Sequence, residues 1–187
     1  MRGYRRLATV CVAAALGAVS CSESATPPVA SESNALMDSA DQVMFGIQTI
    51  LTDRGVRQAL LRADTGLFFD EGTRVELRGV HLTFYTPEGV ENAVLTSREG
   101  TLNTRRNQTE ARGNVVVISE AQRRRLTTEQ LRYDQNANQI SSDSAFVLTE
   151  PANRMEGVGF TSDPEMRRIR VLRVRSGSGE IVIPEGQ

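Results

Sequence analysis

The sequence predicts an all-β sandwich or roll, and three observations lead to that prediction. Turn-forming clusters recur at short, even intervals along the chain, a pattern typical of antiparallel strands. They include Asp53-Arg54-Gly55, Asp70-Glu71-Gly72 and Pro87-Glu88-Gly89. Between these clusters apolar and polar residues alternate with period two, as on a half-buried strand. No long stretch shows the 3.6-residue apolar period of an amphipathic helix.

The stretch from Gly113 to Leu148 is the clearest example, because it reads as strand, turn, strand, turn, strand. It also takes part in an internal repeat. A shift of 31 residues maps Leu95 to Leu126, Leu102 to Tyr133, Thr109 to Ile140, Val115 to Phe146 and Val117 to Leu148. A shift of 29 residues maps Leu131 to Phe160, Asp134 to Asp163 and Ile140 to Ile169. Such a period indicates stacked hairpin-sized units, although an evenly spaced meander would give part of the match by chance.

Residues 1–21 are predicted to be an export signal. Arg2, Arg5 and Arg6 precede an apolar run, Leu7 to Val19, which is shorter than the ~20 residues of a membrane-spanning helix. The small residues before Cys21 resemble a lipobox, in which the cysteine is acylated and becomes the mature amino terminus. An ordinary signal peptide or a short uncleaved anchor is the alternative.

Residues 22–40 are rich in Ser, Ala, Glu and Pro and are predicted to form a flexible tether. Residues 41–187 are predicted to form one β domain. The only cysteines are Cys11 and Cys21, so that domain has no thiol for a disulfide or a thiolate metal site.

The first strands of the domain are expected at residues 42–51, 56–63 and 75–84, with Gly46 as a bulge or a point of close approach. The apolar alternation changes phase at Gly79. A bulge at Gly79 would allow both halves of that strand to face the same core.

The sequence contains little that indicates catalysis, and neither an enzymatic activity nor a cofactor or metal is predicted. The single histidine, His81, lies on an alternating strand, where a lone histidine is usually a solvated or core residue. Motifs for zinc, nucleophile elbows and phosphate loops are absent from the sequence. The net charge of −1 gives no general attraction to nucleic acid.

Two arginine clusters remain, Arg123-Arg124-Arg125 and the group Arg167, Arg168, Arg170, Arg173 and Arg175. The simpler interpretation is a solvated strand face whose charges discourage edge-to-edge aggregation. The alternative is that some guanidinium groups meet lipid phosphates or an acidic partner.

Several segments, in this order and spacing, resemble the LptC family, the periplasmic component of the lipopolysaccharide export machine. They are Thr83 to Gly89 (TFYTPEG), Gly100, Gly113-Asn114-Val115, Leu126 to Asp134 (LTTEQLRYD), Ile140 to Asp143, and Met155 to Asp163 (MEGVGFTSD). The resemblance spans roughly Val43 to Val174. Many members of the family carry a transmembrane helix where this chain has the lipobox.

The resemblance implies a twisted, open antiparallel β-jellyroll in the periplasm, held at the inner membrane by lipidated Cys21. Because Ser22 follows that cysteine, the outer membrane is the alternative. The amino-terminal edge strand, Val43 to Leu51, would join the periplasmic domains of the transporter permease. The carboxy-terminal edge strand, Arg168 to Val174, would join the periplasmic bridge protein by strand addition.

The function implied is transient binding of the lipid A acyl chains in an apolar groove, followed by transfer along the bridge. The candidate groove residues are the repeat-equivalent apolar positions, each of which could instead fill a closed core. They are Leu102, Val115, Val117, Leu131, Tyr133, Ile140, Phe146, Leu148, Phe160 and Ile169. The alternatives are a non-catalytic lipid-anchored structural or adaptor β-roll, or a related bridge component.

Overall fold

The computed structural model describes residues 37 and 39–178. They lie in the second of the two units into which the chain divides, Ser31–Gln187. The predictions for the export signal, for Cys21 and for most of the tether fall outside the described residues. Within the described part, no helix is long and apolar enough to cross a membrane.

Within residues 39–178, nine strands form one antiparallel sheet in which every strand pairs with the next in sequence. Their bounds are β1 Gln42–Asp53, β2 Val56–Phe69, β3 Arg74–Tyr85, β4 Glu91–Asn103, β5 Gln108–Ser119, β6 Arg124–Asp134, β7 Gln139–Thr149, β8 Arg154–Ser162 and β9 Ile169–Ser178. The prediction of an all-β open sheet is confirmed. Short turns connect the strands, and several end on a residue with positive φ such as Gly55, Asn107 or Asn138, residue types that tolerate this conformation.

In β2, β3, β4, β6 and β8 the inward-facing phase reverses near the middle of the strand, along one line that crosses the sheet, whereas β5 and β7 keep one phase and hold an extra residue at that level. In β6, for example, Leu126 and Thr128 are buried before the line, and Leu131 and Tyr133 after it. The pairing register shifts at this level between β4 and β5, β5 and β6, β6 and β7, and β7 and β8. We call this level the bend line, because bulges sharpen the local bend and twist of a sheet.

The bend line passes through Gly46 in β1 and Gly79 in β3, which have φ of 62° and 64°. The expected phase change at Gly79 is confirmed, since Val75, Leu77, Val80 and Leu82 all reach the core. The expected bulge there is wrong. Arg78 and Val80 pair with Glu99 and Ser97 in unbroken register, because the left-handed glycine changes the phase without an extra residue.

The bend line divides the sheet into two halves that pack face to face. Leaf A contains the ends of the odd-numbered strands and the starts of the even-numbered ones, and leaf B contains the opposite halves. Phe84 of leaf A meets Tyr133 of leaf B edge-on, with ring centroids 4.9 Å apart. Phe146 of leaf A meets Phe160 of leaf B at 5.2 Å. These are favourable aromatic geometries, and they place the core between the leaves.

The repeat predicted from the sequence is confirmed by the pairing register. Leu95 and Leu126, which the shift of 31 relates, both pair with Val117, so all three lie in one cross-strand row. Tyr133 and Ile140 pair directly, and Ser162 continues that row to Ile169. One repeat therefore corresponds to two strands, and equivalent apolar residues line up across the sheet.

Candidate functional site

The candidate groove residues all point inward between the leaves. Val115, Val117, Leu131, Tyr133, Ile140, Phe146, Leu148 and Phe160 are buried. Leu102 and Ile169 are partly buried and pack against the same cluster. The structure therefore brings the ten residues together in one continuous apolar layer, and in this conformation the middle of that layer is a filled core.

Tyr133 is the one candidate with a polar end. Its ring is buried, and its hydroxyl lies 3.3 Å from Asn138 Oδ1 in the β6–β7 turn, to which it donates a hydrogen bond. Burial raises the pKa of the phenol well above its ordinary value, with a smaller contribution from Asp134. The hydroxyl therefore stays neutral, and its position marks the end of the apolar layer at the β6–β7 turn.

The apolar layer continues to β1, which is one of the two edge strands in the described part of the chain. Met44 pairs with Gly66, which lies in the same inward-facing row as Leu77. Met44 is 42% exposed, and Phe45 on the other face of β1 is 74% exposed. Because exposed large apolar residues at a sheet edge are unusual in a monomer, this edge has the character of a contact surface.

The apolar layer also reaches β9, the other edge strand. Val174 pairs with Gly157, which pairs with Phe146, so Val174 belongs to an inward-facing row. It is nevertheless 60% exposed, and neighbouring Leu172 is 71% exposed. The sequence reasoning did not include Met44 or Val174 among the groove residues. The sequence showed only that each predicted edge strand carries apolar residues. It did not show that Met44 and Val174 point inward, because their direction depends on the phase change at Gly46 and on the shifted pairing beside Gly157.

A loop of residues 163–168 between β8 and β9 closes the space between the leaves at one place. Pro164, Glu165 and Met166 are buried in it, and Met166 belongs to the core cluster. Arg124, from the start of β6, donates hydrogen bonds to the main-chain oxygens of Met166 and Arg167. Nothing in the sequence pattern indicated this contact, which joins residues 42 positions apart.

The two predicted arginine clusters meet at this loop. Arg124 forms an ion pair with Glu150, and Arg167 forms ion pairs with Asp163 and Glu165. Arg123 and Arg125 are exposed, as are Arg168, Arg170, Arg173 and Arg175. Most of the clusters therefore have the solvated character of the simpler interpretation, and Arg124 and Arg167 have structural partners.

The remaining polar groups form no recognisable catalytic arrangement in the part of the chain that the structure describes. His81 is exposed on the outer face of β3. Among the described residues, no group of three or more His, Cys, Asp or Glu side chains could hold a metal ion. The absence of an enzymatic activity remains a prediction.

Comparisons with known proteins agree with this geometry. The model of the family described as "Lipopolysaccharide-assembly, LptC-related" matches residues 7–178. Among solved structures, the chain is similar in fold to LptH of Pseudomonas aeruginosa, the LptA-homologous periplasmic component of its lipopolysaccharide transport device. The TM-score is 0.50 at 15% identity, and the match covers 62% of this chain and 82% of LptH. No curated protein sequence matches the chain.

The family match covers the whole described sheet, and the similarity to LptH independently supports the fold. Membership in this family implies a role in lipopolysaccharide transport through the periplasm. The chain belongs to the LptC-related family of lipopolysaccharide-assembly proteins.

Proposed function

We propose that this protein binds lipopolysaccharide transiently between its two leaves and passes it from the inner-membrane ABC transporter to the periplasmic bridge protein. The observation that carries the proposal is the apolar inner layer, which runs through the sheet and is exposed at both edge strands. Met44 at one edge and Val174 at the other continue the layer to solvent. A surface that ends in this way is completed when another sheet is added at each edge.

The energetics favour acyl chains as the ligand of this layer. Each CH₂ group removed from water contributes about 0.8 kcal/mol, so covering part of several chains offsets much of the cost of leaving the bilayer. The sugars and phosphates would remain in water. Direction would come from the ATP-driven transporter, since binding by apolar contact alone favours neither end.

The two edge strands support the assignment of partners. In the described residues, β1 pairs only with β2 and β9 only with β8, so each has one side of its main chain available for strand addition. We assign β1 to the periplasmic domains of the transporter permease and β9 to the bridge protein. The predicted lipid on Cys21, which precedes β1 in the chain, would hold the protein at the inner membrane beside the permease, with the outer membrane as the alternative.

The filled middle of the layer favours a second candidate, a lipid-anchored adaptor that joins its partners without touching the lipid. Val115, Val117 and Phe160 have no exposed surface. For lipid to reach them the leaves must separate, whereas an adaptor could keep them closed. The two candidates therefore differ in one observable, which is contact between the lipid and the inner face of the middle strands.

Site-specific photocrosslinking in cells distinguishes the two candidates. A photoreactive amino acid is placed at Tyr133 or Phe146 on the inner face, with Arg125 as the matched control because it is exposed on β6, the strand that carries Tyr133. Lipopolysaccharide adducts at the two inner positions but not at Arg125 are the expected result. A folded protein without adducts at Tyr133 and Phe146 would establish the adaptor instead.

A further inference from the structure

The β8–β9 loop, residues 163–168, has more hydrogen bonds within itself than to the rest of the protein. The Asp163 carboxylate accepts hydrogen bonds from the main-chain N–H groups of Arg167 at 2.8 Å and Arg168 at 3.3 Å, and from Arg167 Nε at 3.1 Å. Met166 N–H donates to the Asp163 carbonyl at 3.0 Å. The loop is therefore a preformed unit that can move without losing its own structure.

Few contacts tie this unit to leaf A. Arg124 donates to the carbonyls of Met166 and Arg167 while it pairs with Glu150. The side chain of Asn92, at the start of β4, hydrogen-bonds the Glu165 carboxyl. The buried Met166 side chain supplies the apolar contact. Arg124 is thus the main polar connection between the loop and the opposite leaf.

The loop also carries two local costs. Met166 has φ of 58°, a left-handed conformation that is unfavourable for a residue with a long side chain. Glu165 is buried, and its Oε2 lies against Arg167 without the alignment of a hydrogen bond. Because an incompletely paired buried carboxylate is unfavourable, opening the loop would relieve the second cost by exposing Glu165 to water, whereas the φ of Met166 belongs to the loop's own structure.

We infer that the β8–β9 loop is a gate over the space between the leaves, that Met166 is its plug and that Arg124 holds it shut. Opening would uncover the inner layer beside β9, the edge assigned to the bridge protein. The biological role of the gate rests on the proposed function, in which lipid must leave the inner layer near that edge. A lipid phosphate is a charged acceptor that could compete with the two neutral carbonyls for Arg124.

The rate at which a thiol at position 166 reacts tests the gate directly. The full chain carries Cys11→Ser, Cys21→Ser and Met166→Cys, and maleimide labelling is followed with and without Arg124→Ala. Arg125→Ala is the matched control, because Arg125 is the next residue along β6 and is exposed. Loss of bonds to a charged donor is expected to raise the labelling rate about tenfold or more in Arg124→Ala only.

A second thiol separates opening of the gate from unfolding of the sheet. Leu82 is fully buried in the middle of leaf A, so Leu82→Cys should stay protected while position 166 becomes reactive. An unchanged rate at position 166 in Arg124→Ala, or an equal rise at positions 82 and 166, would overturn the inference.

Purified lipopolysaccharide is then added to the chain with intact Arg124. Faster labelling at position 166, with position 82 still protected, supports a gate that lipid opens. If Arg124→Ala opens the loop but lipopolysaccharide has no effect, the lipid role of the gate is overturned. Crosslinking at Tyr133 and Phe146 still tests the proposed function separately.

Discussion

Phe146 and Val174 lie in the same inward-facing row of the sheet, with only Gly157 between them. Phe146 is 2% exposed and Val174 is 60% exposed. Phe146 has a strand on each side and Phe160 of the opposite leaf above it. Val174 lies on β9, which within the described residues has a neighbour on one side only. The row is therefore complete in the middle of the sheet and incomplete at its edge.

The same contrast holds at β1. Leu77 and Met44 share a row through Gly66, yet Leu77 is buried and Met44 is exposed. Side chains of similar chemistry therefore have two different roles along one layer. In the middle strands they stabilise the fold, and at the edges they add little to the isolated protein and are available to a partner. The predictions below test this division.

The largest difference is expected between truncations of Phe160 and Val174, which both point inward. Phe160→Ala removes a fully buried ring that contacts Phe146 and should lower the free energy of unfolding by about 3–5 kcal/mol. Val174→Ala removes two methyl groups that are mostly solvated and should cost less than about 0.5 kcal/mol. Urea denaturation of both variants measures the two values. Equal costs would show that the edge is as much a part of the core as the middle.

A smaller effect on stability is expected in the β8–β9 loop, which connects the covered strand β8 to the exposed edge strand β9. Burial raises the pKa of Glu165 above its ordinary value of 4.5, and Arg167 offsets this only in part. The native state therefore holds this proton more tightly than the unfolded state, so the contribution of Glu165 to stability falls as the pH rises above 4.5 through the native pKa. Glu165→Gln should raise the Tm at neutral pH, and the gain should disappear in acid.

The pH dependence of stability expected for Asp163 is opposite in sign to that expected for Glu165. Burial alone would raise its pKa, but hydrogen bonds from Arg167 and Arg168 outweigh it and lower the pKa below its ordinary value of 3.8. Its stabilisation is present above pH 3.8 and is lost as the pH falls through the native pKa. Asp163→Asn should therefore lower the Tm at neutral pH, with the difference shrinking in acid. Thermal unfolding across pH that gives both variants the same sign would contradict this assignment.

The parts of this structure that the sequence could predict depend on local pattern. Alternation and turn residues are short-range signals, so the meander and the equivalence of Leu95 and Leu126 followed from spacing alone, whereas their common partner Val117 is visible only in the pairing. The geometry of the bend line could not be predicted from the sequence. The apolar pattern around Gly79 changes phase by one residue both when a bulge inserts an extra residue and when a left-handed glycine changes the phase without one. Only the partners of Arg78 and Val80 distinguish the two cases.

The candidate site was predictable only as a set of inward-facing residues. Whether such a residue is buried depends on its neighbours in the sheet and in the opposite leaf, which is long-range information. Val117 and Val174 are the same amino acid on inward-facing rows, yet one has no exposed surface and the other is mostly exposed. The contact between Arg124 and Met166 likewise joins the start of β6 to the β8–β9 loop, which are distant in sequence, and no periodicity encodes it.

The smallest effect on folding and a large effect on assembly are expected at the β9 edge. The double variant Leu172→Asp, Val174→Asp places charges on side chains that are already solvated, so the free energy of unfolding should change by less than about 0.5 kcal/mol. If β9 receives the strand of the bridge protein, the same charges must be desolvated on binding, and affinity should fall about tenfold or more.

Val90→Asp is the matched control, because Val90 is 62% exposed but lies in the β3–β4 turn. Calorimetric titration with the bridge protein measures the affinities. Unchanged binding by the double variant would mean that the partner contacts another surface, and that the exposed end of the layer at β9 is not a joint.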